Sequence, residues 1–324
     1  MLENRIFEIS NNTEFEDVAL EVYKHQFHNN TVYREFSSYL NRNPDNVKSI
    51  TDTPFLPIEF FKSRKIITGN QEPQVTFTSS GTTGTTTSKH HVTDLKLYEQ
   101  SFLRTFKKFY GDPEEYIFLA LLPSYLERQG SSLIYMADHL IKASNNKESG
   151  FYLNDLEALS KKLTELDSVS KKVFLIGVSF ALLDLIEKKK FHLENTIVME
   201  TGGMKGRRKE MIREELHNHL RKGFGVDAIH SEYGMTELLS QAYSNGAGVF
   251  ECPSWMKILV RDPEDALTYL PESKTGGMNV IDLANINSCS FIATQDLGRI
   301  KNDKIEILGR FDNSDVRGCN LLLL

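Results

Sequence analysis

A run of hydroxyl and glycine residues from Thr78 to Lys89 is the strongest candidate for chemistry. Seven hydroxyl side chains and two glycines lie between Thr78 and Thr86. Gly81 and Gly84 lack Cβ, so the backbone can take positive φ and direct successive N–H groups toward one point. The run therefore predicts a polyphosphate site, although no Walker A Gly-Lys-Ser/Thr follows. The alternative is a flexible polar loop.

Two later segments each follow a predicted strand. Gly202 and Gly203 would let a flat ring lie against the backbone, or they form a plain turn. In the next segment Tyr233 could stack on a purine, Thr236 could donate to a phosphate and Glu237 could hold Mg²⁺. The alternative is that Thr236 and Glu237 are ordinary residues in the first turn of a helix.

Asp296 and Arg310 are candidates for sugar and phosphate contacts. Asp296 precedes a predicted turn at Gly298, and its carboxylate could accept two ribose hydroxyls or simply hold that turn. Arg310 has a planar guanidinium suited to phosphate or ribose oxygens, and surface ion pairing is the alternative.

The segments around these residues alternate between strand and helix patterns, which indicates an α/β fold with a largely parallel sheet. Strands are predicted at Gln74–Thr78, Tyr116–Leu122, Val173–Val178, Thr196–Glu200 and Asp227–Ser231. Helices are predicted after Thr93 as N-cap, after the Tyr233 segment, and over Lys205–Lys222 with Gly223 as its end.

The two ends of the chain have different patterns. Residues 1–50 are predicted to be largely helical, and the sequence after about residue 250 is rich in strand patterns. We predict a large domain over residues 1–308, with a helical lead-in (1–70), an α/β core (71–245) and a β-rich part (246–308). A short tail (309–324) follows.

Composition excludes several classes of protein. Hydrophobic residues make up 40% and charged residues 25%, and the net charge is −6, which argues against a general nucleic-acid or membrane surface. The apolar stretch from Val173 to Ile186 is too short to span a membrane, and no signal peptide is visible. Three cysteines fit a reducing compartment, so a cytoplasmic location is expected.

Taken in order, these segments resemble the adenylate-forming (acyl-activating) ligase superfamily. Ser79-Ser80-Gly81-Thr82-Thr83-Gly84 is similar to its phosphate loop, and Gly202-Gly203 is similar to its adenine segment. Tyr233-Gly234-Met235-Thr236-Glu237 matches its Tyr-Gly-x-Thr-Glu motif. Asp296 is similar to its ribose motif, and Gly309-Arg310-x-Asp312 to its hinge motif. The superfamily usually has a lysine where this chain has Thr87, and Lys89 is the nearest candidate for its work. Only 12 residues follow Asp312, so the resemblance implies that the mobile C-terminal domain is missing.

The chain also resembles a narrower family, the acyl-protein synthetases (long-chain-fatty-acid–luciferin-component ligases) of bacterial bioluminescence. The similar segments are Pro54–Lys62, Leu122–Arg128, Pro253–Met256 and Arg317–Leu322. The resemblance implies an adenylate-forming ligase large domain, with mixed or parallel sheets, flanking helices and a β-rich C-terminal part.

The resemblance implies two half-reactions with Mg·ATP. A fatty or related carboxylic acid first becomes an acyl-adenylate, and a protein thiol then takes the acyl group. The phosphate loop would hold the β- and γ-phosphates, Thr236 the α-phosphate, Glu237 the Mg²⁺, and Asp296 and Arg310 the ribose.

Cys319 is the candidate thiol, because it lies near the C-terminus beside Gly318 and Arg317; a buried structural role is the alternative. An acyl-accepting reductase or carrier protein is the expected partner. Two other functions stay open: an acyl- or aryl-CoA ligase similar to phenylacetate–CoA ligase, and a non-catalytic subunit that binds nucleotide or acyl groups.

Overall fold

The computed structural model describes residues 2–79, 86–123, 130–202, 208 and 211–311. In these residues the chain forms two compact units, one from described residues up to 71 together with those from 254 to 311, and the other from the stretch 72–253. We call them the split unit and the central unit. The domain division predicted from the sequence stays a prediction.

The helices and strands are numbered in chain order. Helices α1 to α9 are Leu2–Ile6, Asn12–Asn29, Thr31–Tyr39, Phe60–Ser63, Leu95–Tyr110, Ser132–Ala143, Leu156–Ser168, Ser179–Lys188 and Arg213–Phe224. Strands β1 to β14 are Leu56–Pro57, Val75–Thr78, Lys89–Val92, Ile117–Leu121, Gly150–Phe151, Val173–Val178, Thr196–Thr201, His230–Tyr233, Ala242–Ser244, Val249–Phe250, Met256–Arg261, Gly276–Asp282, Phe291–Lys301 and Lys304–Arg310.

The central unit contains the predicted parallel sheet, in the order β5-β4-β6-β7-β8-β9. All neighbours pair in parallel except β8 and β9, which are antiparallel. Every residue of β4 and β6 is buried, because helices cover both faces of a parallel sheet and leave no polar side of the strand. Strands β2 and β3 form a separate antiparallel hairpin.

Helix α5 packs on this sheet through an aromatic face, as the spacing predicts. Tyr98, Phe102 and Phe106 are buried, and Phe106 lies 5.1 Å from Phe174 of β6 between ring centroids. The predicted cap is displaced by one residue: Asp94, not Thr93, accepts the backbone N–H of Lys96. Aspartate at this position also favours the positive end of the helix dipole.

In the split unit, strands β11 to β14 form an antiparallel sheet, and the short β1 pairs in parallel with β13. The buried side-chain amide of Gln26, on α2, joins the helical lead-in to this part by hydrogen bonds. The Gln26 side chain donates to the carbonyls of Asn285 and Ile286 and accepts the N–H of Ser290. These bonds satisfy backbone groups that a buried irregular segment would otherwise leave unpaired.

Three predictions about element boundaries were wrong. No helix follows Tyr233, since residues 234–241 form turns that lead into β9. Asp296 and Gly298 lie inside the long strand β13, not in a turn. The helix predicted over Lys205–Lys222 begins at Arg213 and ends at Phe224, with Gly225 at φ +68° as its cap. Of the predicted start, the structure describes only residue 208 before 211, and this residue is not helical.

Gly223 lies inside α9 because helix α8 approaches it closely. A Cβ at this position would lie 2.6 Å from Cβ and Cδ1 of Ile186, closer than non-bonded carbon atoms tolerate. We therefore predict that Gly223→Ala destabilises the protein by about 1–3 kcal/mol through overpacking, although alanine favours a helix by about 1 kcal/mol. The measurement is the free energy of unfolding in urea.

The matched control is Gly150→Ala, because a Cβ on Gly150 meets no atom within 4 Å. This control is expected to leave the free energy of unfolding nearly unchanged. A Gly223→Ala protein more stable than wild type would show that α8 and α9 do not constrain each other here.

Candidate active site

The hairpin of β2 and β3 forms the base of the hydroxyl-rich loop. The backbone N–H of Ser79 donates to the carbonyl of Ser88 at 3.1 Å, and the N–H of Ser88 donates to the Ser79 hydroxyl oxygen at 2.9 Å. This pair closes the loop immediately after β2 and immediately before β3. Of the predicted phosphate loop, Ser80, Gly81, Thr82, Thr83 and Gly84 lie outside the described residues.

Lys89 is the first residue of β3 and pairs across the hairpin with Thr78. Its side chain is exposed, whereas Thr87, the position at which the superfamily usually has a lysine, is half-buried. A long flexible ammonium at the mouth of the loop suits a phosphate, since it can follow a charge that moves during reaction. Its predicted role stays a prediction.

The carboxyl ends of β7 and β8 bring two predicted segments together. Thr201 pairs with Glu232 in parallel register, so Gly202 and Tyr233 follow at neighbouring positions on the same edge of the sheet. Gly202 has φ +66°, which favours glycine, and its carbonyl accepts the Ser179 hydroxyl at 2.9 Å. Gly203 lies outside the described residues.

Tyr233 is buried, with its ring edge-on to Phe250 at 6.3 Å between centroids. The Glu232 carboxylate lies close to Gly234, the residue after Tyr233, and a Cβ at Gly234 would clash with Oε1 of Glu232. The glycine therefore leaves room for this carboxylate beside the backbone. The predicted contact of Tyr233 with a purine stays a prediction.

Thr236 and Glu237 are the central residues of a turn. The N–H of Leu238 donates to the carbonyl of Met235 at 3.1 Å, which closes the four-residue turn. Thr236 is half-buried and Glu237 is 5% exposed. The alternative that they belong to the first turn of a helix is excluded, because these residues form a turn that leads toward β9.

A buried histidine fastens this turn to the hairpin. Nδ1 of His90, on β3, lies 2.8 Å from the carbonyl oxygen of Thr236. His90 is fully buried, and burial lowers its pKa to about 4, so the imidazole is neutral near pH 7. No sequence pattern indicates a role for this residue, because positions 90 and 236 are far apart in the chain.

A second buried network lies at the end of β7. The Glu200 carboxylate is 3.5 Å from Nε of Arg213 and 3.5 Å from Nε2 of His217, and it accepts the Ser179 hydroxyl at 3.2 Å. Burial opposes ionisation of Glu200, but the hydrogen bond from His217 and the charge of Arg213 outweigh it, so the pKa of this carboxyl is lowered. The network holds the strand end next to Gly202.

The split unit brings Asp296 and Arg310 together. The two residues pair across β13 and β14, and Nε of Arg310 donates to Oδ1 of Asp296 at 3.1 Å. Asp296 is 6% exposed, whereas 73% of the Arg310 side chain is exposed. A buried carboxylate capped by an exposed guanidinium can exchange part of that contact for a hydroxyl-bearing ligand. Asp312 lies outside the described residues.

Arg261 supports the strand that carries Asp296. Its guanidinium donates to the carbonyls of Met278 (2.8 Å) and Thr294 (2.6 Å). The Thr294 hydroxyl in turn accepts the N–H of Asp296 at 3.1 Å. Burial lowers the pKa of Arg261, although the guanidinium stays charged near pH 7. The sequence gives no signal for this role, because Arg261 is a lone arginine in a strand pattern.

Of the two described cysteines, Cys289 is unlike a catalytic thiol. Cys289 is fully buried, and burial raises its pKa to about 12, so it holds almost no thiolate near pH 7. Cys252 is half-buried in the central unit. Cys319 lies outside the described residues.

Comparison with known proteins now identifies the family. A family model described as "Acyl-protein synthetase, LuxE" matches residues 1–324. The chain belongs to the acyl-protein synthetase family. It is also 22% identical to the long-chain-fatty-acid–luciferin-component ligase of Vibrio harveyi, over 92% of this chain and 84% of that protein. The predicted family and ligase class are confirmed.

Solved structures show the fold. An open conformation of 2-hydroxyisobutyryl-CoA ligase, in complex with 2-HIB-AMP and CoA, matches 94% of this chain and 72% of its own, with TM-score 0.67 and 13% identity. ATP-bound MatB from Rhodopseudomonas palustris matches 72% of this chain with TM-score 0.54 and 17% identity. The chain matches about half of MatB, 47% of its length. The predicted adenylate-forming ligase fold is confirmed.

Glu232 gives the site a pH-dependent stability. Burial raises the pKa of its carboxyl from an ordinary value of 4.5 to about 7. The hydrogen bond from Thr201 lowers this pKa, and the negative charge of Glu200 raises it further. The folded state thus holds this proton more tightly than the unfolded chain. The resulting stability is complete below the unfolded pKa and is lost as the pH rises through about 7.

We predict that Glu232→Gln removes this loss, because the amide does not titrate. Relative to wild type, the free energy of unfolding of the variant should rise by about 2–3 kcal/mol between about pH 5 and about pH 8. Urea unfolding at both pH values measures it, with Glu214→Gln on the exposed surface of α9 as control. Parallel pH profiles for Glu232→Gln and wild type would contradict the prediction.

Proposed function

We propose that this chain activates a fatty or related carboxylic acid with ATP and transfers the acyl group to a protein thiol. The observation that carries the proposal is the family match over residues 1–324. The name of the relative from Vibrio harveyi supports a long-chain acid as substrate. The similarity to ATP-bound MatB and to the ligase in complex with 2-HIB-AMP supports ATP as the activating reagent.

In the first step a carboxylate oxygen attacks the α-phosphorus of ATP. A bond forms between these two atoms, the bond to the bridging oxygen of the β-phosphate breaks, and pyrophosphate leaves. The step joins two anions, so the protein must supply positioning and charge neutralisation more than bond-making groups. Within the described residues, Lys89 at the hairpin and Thr236 at the turn are the groups suited to the phosphates.

Mg²⁺ would be held by Glu237, together with phosphate oxygens and water. The described residues hold no cluster of three or more His, Cys, Asp or Glu side chains suited to a metal ion. One carboxylate nevertheless fits, because Mg²⁺ is commonly bound through one or two carboxylates and substrate phosphates. When bound, the ion would offset charge on the departing pyrophosphate.

Asp296 and Arg310 would bind the ribose. The carboxylate can accept hydrogen bonds from the ribose hydroxyls, and the exposed guanidinium can turn toward the sugar or a phosphate oxygen by giving up part of its contact with Asp296. In the central unit, Ser179 and Glu200 hold the strand end before Gly202, where the adenine edge would lie.

In the second step a thiolate attacks the carbonyl carbon of the acyl-adenylate, a carbon–sulfur bond forms and AMP leaves. Cys319 is the proposed nucleophile, with Arg317 as a neighbouring positive charge that favours the thiolate. The acyl group would then pass to a reductase that yields an aldehyde, or to a carrier protein. A cytoplasmic location fits this chemistry; among the described helices, none is long and apolar enough to cross a membrane.

The proposal predicts ATP–pyrophosphate exchange that depends on a carboxylic acid, measured with a series of acids of increasing chain length. Thr236→Val, which removes only the hydroxyl, should lower the exchange rate by about a hundredfold, because one lost transition-state donor costs about 3 kcal/mol. Thr236→Ser keeps the hydroxyl and serves as the matched control, with a rate near wild type.

Two outcomes would contradict this function. No exchange with any acid would leave a non-catalytic subunit that binds nucleotide or acyl groups. Exchange followed by release of a CoA thioester, with no acyl group on the protein, would indicate an acyl- or aryl-CoA ligase.

The thiol assignment predicts a separation of the two steps. Cys319→Ser should keep the exchange activity and lose the stable, hydroxylamine-sensitive acyl label, because the serine hydroxyl is a far weaker nucleophile than a thiolate. Radiolabelled acid followed by electrophoresis measures the label. Cys252→Ser is the control and should retain it. A fully labelled Cys319→Ser protein would exclude this cysteine as the acyl carrier.

A further inference from the structure

His90 makes a contact that the proposed chemistry does not yet use. Its ring is fully buried on β3, opposite Phe77 on β2. Its Nδ1 lies 2.8 Å from the carbonyl oxygen of Thr236, and a carbonyl can only accept, so Nδ1 must carry the proton. The contact thus fixes one neutral tautomer. It joins two segments 146 residues apart in the chain.

The carbonyl of Thr236 and the N–H of Glu237 belong to the same peptide plane. That plane is the central peptide of the turn closed between Met235 and Leu238. Both Cα atoms lie in this plane, so a displacement of the plane would shift Thr236 and Glu237 together, with the hydroxyl and the carboxylate that they carry. A hydrogen bond to this one oxygen therefore restrains the position of both residues.

The strand that carries His90 is itself held in place. Ser88, two residues earlier, is bonded to Ser79 in both directions, and four residue pairs join β2 to β3. The donor is thus presented from a rigid hairpin rather than from a loop. A rigid donor can define the position of a turn, because loops have few internal bonds to define their own.

We propose that His90 is a positioning residue, whose Nδ1–H holds the Thr236–Glu237 peptide in the orientation that acyl activation requires. The inference rests on the proposed function of Thr236 and Glu237. His90 acts only through this peptide and contacts no reacting atom. A shift of about 1 Å in a catalytic group can cost about a hundredfold in rate, so a single buried donor here is enough to matter.

His91 is a natural internal control. It follows His90 on the same strand, so its side chain points to the opposite face. Its Nδ1 lies 2.9 Å from the Thr76 hydroxyl, and this contact stays within the hairpin. A variant of His91 changes the same residue type in the same strand without loss of the bond to the turn.

The test compares His90→Asn with His90→Leu. Both side chains branch at Cγ, and asparagine can place an amide N–H near the position of Nδ1, whereas leucine has no donor. At saturating ATP, acid and pyrophosphate, His90→Leu should exchange about tenfold to a hundredfold more slowly than wild type. His90→Asn should recover to within about threefold, and His91→Leu should match wild type.

A double-mutant cycle separates positioning from general stability. If His90 acts through the Thr236 hydroxyl, then His90→Leu should cost much less in a Thr236→Val protein than in wild type. A purely structural residue would lower the unfolding midpoint and leave the coupling near zero. Circular dichroism and thermal unfolding check that each variant is folded at the assay temperature.

The outcomes are distinct. If wild type exchanges but His90→Leu is folded and as active as His91→Leu, the positioning role is wrong and the proposed function stands. If wild type shows no exchange with any acid, the proposed function and this inference both fail. If His90→Leu does not fold, His90→Gln provides the test, since its amide reaches the position of Nε2 and leaves no donor at the position of Nδ1. A folded His90→Gln protein with wild-type activity would overturn the positioning role.

Discussion

The parallel register of β7 and β8 is the constraint on which the candidate site depends. Because Thr201 pairs with Glu232, the chain leaves β7 at Gly202 and leaves the neighbouring β8 after Tyr233, along one edge of the sheet. A slip of one residue would turn every side chain of the slipped strand to the opposite face of the sheet and would move Glu200 or Glu232 away from its present partners. Helix α9 stabilises the register through Arg213 and His217, which both reach Glu200.

The candidate groups divide between the two units by chemical task. In the central unit, hydrogen bonds at turns and strand ends hold the residues proposed to bind phosphates and metal, such as Thr236 and Glu237. In the split unit, Asp296 lies on β13, which pairs with β14 and whose Thr294 carbonyl accepts a hydrogen bond from Arg261. Under the proposed function, the phosphates would therefore meet a turn and the ribose a strand.

Much of the fold could be predicted from the sequence, and the site only in part. Runs such as Val173–Val178 are apolar throughout and have the length of strands, so they were predicted correctly. The local composition around Thr236 fits a helix N-terminus and so predicts a helix, whereas the structure has a turn that accepts a hydrogen bond from His90, 146 residues away in the chain. Gly223 carries a helix-end signal that Ile186 overrides by close packing. Long-range contacts of this kind leave no periodic pattern.

The split unit also has a consequence for the order of folding during synthesis. The central unit is one continuous stretch, residues 72–253, so all of its strands have been synthesised before Ser254 is added. The lead-in emerges first, but the backbone groups that Gln26 binds lie at Asn285, Ile286 and Ser290. The Gln26 amide and several aromatic rings of the lead-in therefore stay unburied until more than two hundred further residues have been synthesised.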